Sequence, residues 1–207
     1  TGNEVKDSGP LKLKGKIVGT PKWVKGKFEN ALEFEGPNAQ YVDFGYQKEL
    51  EADTAVTVMV WVFTKDWKSA TCCHQVYGFG IHGGCGGRVQ HGMFAEGGLL
   101  KIRFEATGGE LDVGAPPPEV NKWVHVAATY DNGTGRIYVD GKLAGEGNSG
   151  GALSKSNEPF FIAADCERLN YSFNGIIDEF IMFLRVLDEK EISQTMQKGL
   201  LAVETAG

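Results

Sequence analysis

No apolar run in this chain approaches the roughly 20 residues of a membrane-spanning helix, so no transmembrane segment is expected. There is no dense Lys/Arg stripe either. The 21 basic residues stand against 27 acidic ones, for a net charge of −6 and a pI of about 5.3. Nucleic acid is therefore not an expected partner. An acidic surface is compatible with divalent cations without requiring them. No internal repeat occurs, and the glycines follow no triplet period, which excludes a collagen-like chain. At 42% hydrophobic and 23% charged, the composition is also far from that of a disordered one. No Cys-x-x-Cys pair is present, an absence that weighs against zinc. The opening TGNEVKDSG carries no charged-then-apolar leader, so the expectation is a processed secretory chain or an excised domain.

What the chain has in abundance is glycine, 29 of 207 residues, scattered among Val, Ile, Phe and Tyr. That mixture predicts many turns joining short strands. Val56, Val58, Val60 and Val62 share one strand face, and Met59, Trp61 and Phe63 share the other. Both faces are apolar, which predicts a central strand covered on both sides. From Trp123 the chain reads as a three-strand meander turned at Asp131-Asn132-Gly133 and at Asp140-Gly141, since Asn, Asp and Gly tolerate the positive φ of tight hairpins. Further strands are expected at 31–34, 41–44, 76–81, 99–104, 160–164 and 176–183. Asp188 with Glu191 has capping-box spacing, Ile192 and Met196 share a face, and Gly199 is a stop. The Pro116-Pro117-Pro118 run reads as a rigid surface loop. These elements predict an all-β chain: a single β-sandwich of two antiparallel sheets with a short C-terminal helix, one domain over 1–207.

The four cysteines are Cys72, Cys73, Cys85 and Cys166. An even count fits two disulfides, and four cysteines allow three pairings. Neighbours on a strand point to opposite faces, so Cys72 and Cys73 are expected to seek different partners, one Cys85 and the other Cys166. The alternative is four reduced, buried thiols in a cytosolic protein. Asn132 and Asn170 begin glycosylation sequons, which matter only in a eukaryotic secretory host.

PKWVKGKFENALEFEGPNAQYVDF (residues 21–44) resembles the opening of the laminin-G-like domains of the concanavalin A-like lectin/glucanase superfamily. WVHVAATY (123–130) with IYVDG (137–141) is similar to their middle meander. FNGIIDEF (173–180) with Arg185-Val186-Leu187 and Glu191-Ile192 is similar to their closing strand and helix. The resemblance implies a jelly-roll sandwich, and it implies a structural calcium held by Asp178, the Gly36 carbonyl and a group near Asp7. It also implies a lectin-like, non-catalytic, extracellular or periplasmic module whose partner is a glycan or a cell surface. A protein-adhesion or structural module is the alternative, and a polysaccharide-active enzyme the third. Two departures stand out. The family's opening Trp-x-Phe-Asp-Glu-like strand is absent before Asp7-Ser8-Gly9: either the chain has been trimmed or another strand fills the gap, and an edge left unfilled would invite self-association. The Cys/His/Gly-rich stretch 70–92 has no counterpart in the family.

Candidate ligand-binding residues are Arg103 and Glu105, which share a strand face with Lys101, and Trp67 and Tyr77, which flank the unusual stretch. Asn170 and Tyr171, after Cys166, complete the set. Sugars need apolar rings to stack on and paired polar groups for their hydroxyls. Trp23, Trp61 and Trp123 lie in fold-defining segments and are expected in the core. Cys72, Cys73, His74, His82, Cys85 and His91 are metal-ligating types within twenty residues, but adjacent cysteines do not readily occupy two vertices of one tetrahedron. Three motif matches are set aside. Gly78–Gly83 fits G-x-G-x-x-G in β-rich surroundings with no helix after it. Gly147–Gly151 fits G-x-S-x-G with no following helix and no protease-like histidine motif at His125. Glu49–Asp53 lacks the order of the superfamily's catalytic carboxylates, so no glycosidase activity is expected.

Overall fold

A computed structural model describes residues 2–67, 74–80, 90–164 and 173–199. Its strands begin with β1 (Glu4–Lys6), β2 (Lys14–Val18), β3 (Lys22–Lys25), β4 (Asn30–Phe34) and β5 (Tyr41–Asp43). Then come β6 (Ala55–Thr64), β7 (His74–Phe79), β8 (His91–Glu96), β9 (Leu99–Ala106) and β10 (Gly109–Ala115). β11 (Trp123–Asp131), β12 (Thr134–Val139), β13 (Lys142–Asn148), β14 (Phe160–Ile162) and β15 (Gly175–Phe183) follow, and helix α1 (Glu189–Lys198) comes last. An eight-stranded sheet has the order β1-β2-β5-β14-β7-β8-β9-β10, and a seven-stranded sheet the order β13-β12-β11-β6-β15-β4-β3. The strand pairs are antiparallel, and the two sheets form the expected sandwich.

Alternation builds the interior. Val56, Val58, Val60 and Val62 of β6 face Phe79, Met93, Leu100, Ile102 and Phe104 of the other sheet in one continuous apolar core. The opposite side of β6 is apolar because α1 lies over it. Ile192 packs with Met59, Ala127, Tyr138, Ile181 and Leu187 in a second cluster. The Asp188 side chain accepts from Glu191 N while Glu191 reaches back to Asp188 N, closing the capping box. Both hairpin turns of the meander adopt the positive φ that their residues permit, at Asn132 (42°) with Gly133 (107°) and at Asp140 (49°) with Gly141 (76°).

Several short strands escape the periodicity argument. β1, β2 and β3 are edge or near-edge strands of three to five residues with Lys at alternate or terminal positions. Such strands bury too little to show an apolar face, and their lysines blunt an exposed edge. The tryptophans also depart from expectation. Trp61 is buried, but on the outer side of the seven-stranded sheet, with the Lys27 ammonium 4.1 Å from its ring centre. Trp123 is half-buried beside Phe63 on that same side. Trp23 sits on edge strand β3 and is 38% exposed, because no further strand covers it.

Candidate functional site

The outer face of the eight-stranded sheet carries a row of residues in direct cross-strand register. Asp43 of β5 pairs with Phe161 of β14, and Phe161 with Gly78 of β7. Gly78 pairs with Gly92 of β8, Gly92 with Arg103 of β9, and Arg103 with Asp112 of β10. Outward positions on a sandwich are ordinarily polar. Here two adjacent glycines leave a strip without side chains between an aromatic ring and a guanidinium; Gly78, Gly92 and Phe161 are themselves buried, and the half-buried Arg103 with the exposed Asp112 forms the end of the row that reaches solvent. At ~4.8 Å per strand the backbone span from Phe161 to Arg103 is roughly 14 Å. A Cβ added at Gly92 would lie 3.3 Å from the Tyr77 carbonyl oxygen, so the bare floor is also a close backbone approach.

Aromatic and charged side chains border this trough. The ring of Tyr41 meets Phe161 edge-on at 5.6 Å. Two residues along β8, Phe94 also faces outward, and the Arg103 guanidinium lies 5.4 Å from its ring centre. Arg103 is held rigidly. Its Nε and Nη2 each donate to Asp112 at 2.7 Å, and Nη2 lies 3.2 Å from Glu110. Lys101, next on the same strand face, donates to Glu96 at 2.8 Å. A two-pronged Arg–carboxylate pair fixes the guanidinium plane as no lysine would. Glu105 shares this outer face directly opposite Glu110. Sequence reasoning thus placed Lys101, Arg103 and Glu105 correctly on one polar face. It missed Tyr41, Phe94, Phe161 and the glycine pair, because cross-strand register is invisible in one strand alone.

Two expected site residues are elsewhere. Tyr77 is fully buried, not a surface platform: β7 shifts register between Gln75 and Tyr77, which turns both Val76 and Tyr77 into the core. There the Tyr77 hydroxyl lies 3.1 Å from His91 Nδ1, and burial raises its pKa well above the ordinary value. Trp67 is also in the core, edge-on to Phe173 at 6.2 Å. Asn170 and Tyr171 lie outside the described residues, as do Cys72, Cys73, Cys85, Cys166 and His82. The undescribed segments 68–73, 81–89 and 165–172 adjoin β7, β8 and β14 in the chain, three of the strands that carry the row.

His91 points between the sheets, among Phe79, Phe104 and Tyr77, and so is turned away from any surface metal site. Among the described residues no group of three or more Asp, Glu, His or Cys side chains is placed to hold a metal. The implied calcium ligands do not fit that ion. Asp178 Oδ2 accepts from the backbone N–H groups of Lys27 (2.8 Å) and Phe28 (3.2 Å), and Oδ1 accepts from Glu179 N (2.9 Å). Those N–H dipoles present their positive ends where a cation would sit. Gly26 completes the latch, since a Cβ there would meet Asp178 Oδ2 at 2.4 Å. Asp7 accepts from Gly9 N and Leu13 N and closes its own loop. Gly36 lies two residues beyond Phe34, which pairs with Gly175, whereas Asp178 lies three residues the other way. At ~3.3 Å per residue the two are roughly 16 Å apart along the strands.

The motifs set aside behave as structural segments. Gly78 lies within β7, and the next described element is strand β8. Ser149 follows β13 in a loop, its N–H donating to the Gly133 carbonyl, while His125 packs against Trp61 on the outer side of the same seven-stranded sheet, where no serine-directed histidine is formed. Lys48–Leu50 is a 3-10 turn, so Glu49, Glu51 and Asp53 are not aligned on a strand.

The family model Laminin_G_3, described as the Concanavalin A-like lectin/glucanases superfamily, matches residues 36–193. No curated protein matches the chain in sequence. Among solved structures, the binding domain of Paraclostridial Mosquitocidal Protein 1 is similar at 13% identity and a TM-score of 0.73, over 94% of this chain and 49% of that one. The binding domain of Botulinum Neurotoxin DC in complex with SialylT is similar at 14% identity and a TM-score of 0.68, over 93% of this chain and 48% of that one. Domain 4 of AbnA, a GH43 extracellular arabinanase from Geobacillus stearothermophilus, in complex with arabinotriose, is similar at 16% identity and a TM-score of 0.59. It is covered over 86% of its length by 87% of this chain. The chain spans about half the length of the two toxin domains. At such identities the likeness is one of fold.

Proposed function

The chain belongs to the Laminin_G_3 family of the concanavalin A-like lectin/glucanase superfamily, and from that premise we propose that it is a non-catalytic, lectin-like carbohydrate-binding module. The observation that carries the reading is the Gly78–Gly92 floor between Phe161 and Arg103 on the eight-stranded sheet. A sugar ring needs a flat surface within reach of an aromatic face and of fixed polar groups; this row brings two bare glycines, the Phe161 ring and Arg103 into line, with the glycines and Phe161 buried and the row reaching solvent at Arg103 and Asp112. Arg103, with Glu105 beside it, offers the hydrogen-bonding groups; Asn170 and Tyr171 stay candidate binding residues outside the described ones. Similar folds that bind SialylT and arabinotriose support the reading, and the extracellular arabinanase supports an extracellular setting.

The test is titration calorimetry after a glycan-array screen, with wild type, Arg103→Ala and Gly92→Ala. Arg103→Ala is expected to weaken binding by about tenfold to a hundredfold, or ~1.4–2.8 kcal/mol. Gly92→Ala raises a methyl group into the trough and weakens binding severalfold. Variants that bind like wild type would move the site elsewhere. Absence of binding to every glycan would favour the second reading, a protein-adhesion module. One observation favours that alternative: Phe63 and Trp123, rings 5.8 Å apart, stand half-buried on the opposite outer face, where Phe28, 37% exposed, meets Trp61.

A further inference from the structure

Charge is sharply segregated along this chain, and the fold collects one sign of it. Residues 1–27 hold seven lysines against Glu4 and Asp7, a net +5. The remaining 180 residues hold 14 basic side chains against 25 acidic ones, a net −11. Spread through the sequence, the seven lysines form no run. Strands β1 and β2 end the eight-stranded sheet, β3 ends the seven-stranded one, and residues 19–21 alone join β2 to β3. The three strands therefore share one edge of the sandwich. From this asymmetry we infer a second binding site, for a linear acidic polysaccharide, whose cationic contacts are Lys6, Lys14, Lys16 and Lys25. It shares no residue with the Gly78–Gly92–Arg103 row and goes beyond the reading built on that row.

Lys6 and Lys14 stand directly opposite each other on β1 and β2, and both are exposed. Like charges so paired destabilise a sheet. Among the described residues only Lys22 of the seven lysines has an ion pair, to Glu35 at 2.9 Å. Elsewhere Lys65, Arg136 and Arg185 each hold a carboxylate within 3.0 Å. Few carboxylates reach the edge. Glu4 and Asp43 flank Lys16 in register, and Asp7 is turned to the N–H groups of Gly9 and Leu13. The excess charge is thus centred on Lys6 and Lys14. Blunting an edge accounts for lysines on β1 and β3, but Lys14 and Lys16 lie on β2, which is paired on both sides.

Trp23 points to a sugar chain as the carrier of the negative charge. It pairs with the core residue Leu32, so it faces between the sheets at their open edge, 38% exposed. Lys25, two residues on, shares that side of β3. A pyranose can stack on the ring while its acidic substituent meets the ammonium. Because the cations belong to strands of both sheets, they follow a ridge. A flexible chain wraps a ridge, whereas a flat bilayer meets only part of it.

The experiment titrates the whole chain with dextran sulfate, polygalacturonate and plain dextran, and with phosphatidylserine-containing vesicles. Binding of at least one of the two polyanions is expected, the pair separating sulfate from carboxylate recognition, with none of plain dextran at this edge. Affinity should fall at least ~10-fold between roughly 50 and roughly 200 mM NaCl as counterions are released. Lys6→Gln with Lys14→Gln should weaken binding at least ~10-fold, with a melting temperature equal to or above wild type because the like-charge pair is gone. Should that variant misfold, Lys25→Gln on the other sheet weakens binding severalfold. Lys142→Gln with Lys190→Gln removes the same charge at exposed lysines of β13 and α1 and should change affinity less than ~2-fold. No binding of either polyanion overturns the inference, as does an equal loss in the β13/α1 variant. Binding of vesicles without binding of either polyanion overturns it too, and makes the edge a membrane contact.

Discussion

His91 and His125 are both held neutral by burial. The His91 imidazole is pushed down to about 3 and the His125 imidazole to about 4, from an ordinary 6.5, because neither interior site solvates a cation. Among the described residues neither His91 Nε2 nor His125 Nδ1 has a hydrogen-bond partner, so each ring sits in its site mainly as an aromatic plate. As pH falls below 6.5, the unfolded chain takes up these protons and the folded one does not. The stability they contribute is whole above that pH and is lost as pH falls toward their folded values. Each histidine is expected to contribute a slope of ~1.4 kcal/mol per pH unit in that window. Urea unfolding between about pH 7 and about pH 5 measures it, and His125→Phe should flatten the slope by about half. A wild-type profile with no such slope would show that water reaches these rings.

At the scale of elements, the turn between β3 and β4 is tied to β15 by one carboxylate. Asp178 satisfies the N–H groups of Lys27, Phe28 and Glu179, and the register shift in β15 after Asp178 allows the third of these bonds, with Glu179 at φ 49°. The latch also brings Lys27 over Trp61 and Phe28 edge-on to it at 6.4 Å. Asp178→Ala leaves these donors without their acceptor and is expected to cost about 2–3 kcal/mol. Thermal melts should show the same loss with and without EDTA. A loss confined to calcium-containing buffer would make Asp178 a metal ligand after all. The laminin-G-like resemblance identified this residue as important, but its neighbours assign the role: a carboxylate ringed by N–H donors is a fastener for backbone.

The whole molecule divides its labour between two faces. Helix α1 and the Asp178 latch close the outer side of the seven-stranded sheet, while the glycine trough lies on the far side of the other sheet. Perturbations on the two faces share no partner and should not couple. Removing the helix cap with Asp188→Ala is expected to cost ~1 kcal/mol in urea unfolding and to leave glycan affinity unchanged. A parallel fall in affinity would mean that the sandwich transmits strain between its faces.

Much of this architecture was legible in the chain itself. Alternating valines on β6 showed a strand buried on both sides, Asn-Gly and Asp-Gly marked the hairpins, and Asp188 with Glu191 marked the helix start. These signals are local: each needs only backbone geometry and the residues beside it. The short edge strands stayed hidden because strands that bury little carry little pattern. The trough stayed hidden for another reason. Gly78, Gly92, Phe161 and Arg103 come from four strands, and only pairing register sets them in one line. One register shift in β7 sent Tyr77 inward and left Gln75 and Gly78 facing out. The sequence by itself therefore determined a sandwich with a capped helix. Which residues share a surface was decided by tertiary pairing, since a single inserted residue exchanges the two faces of a strand.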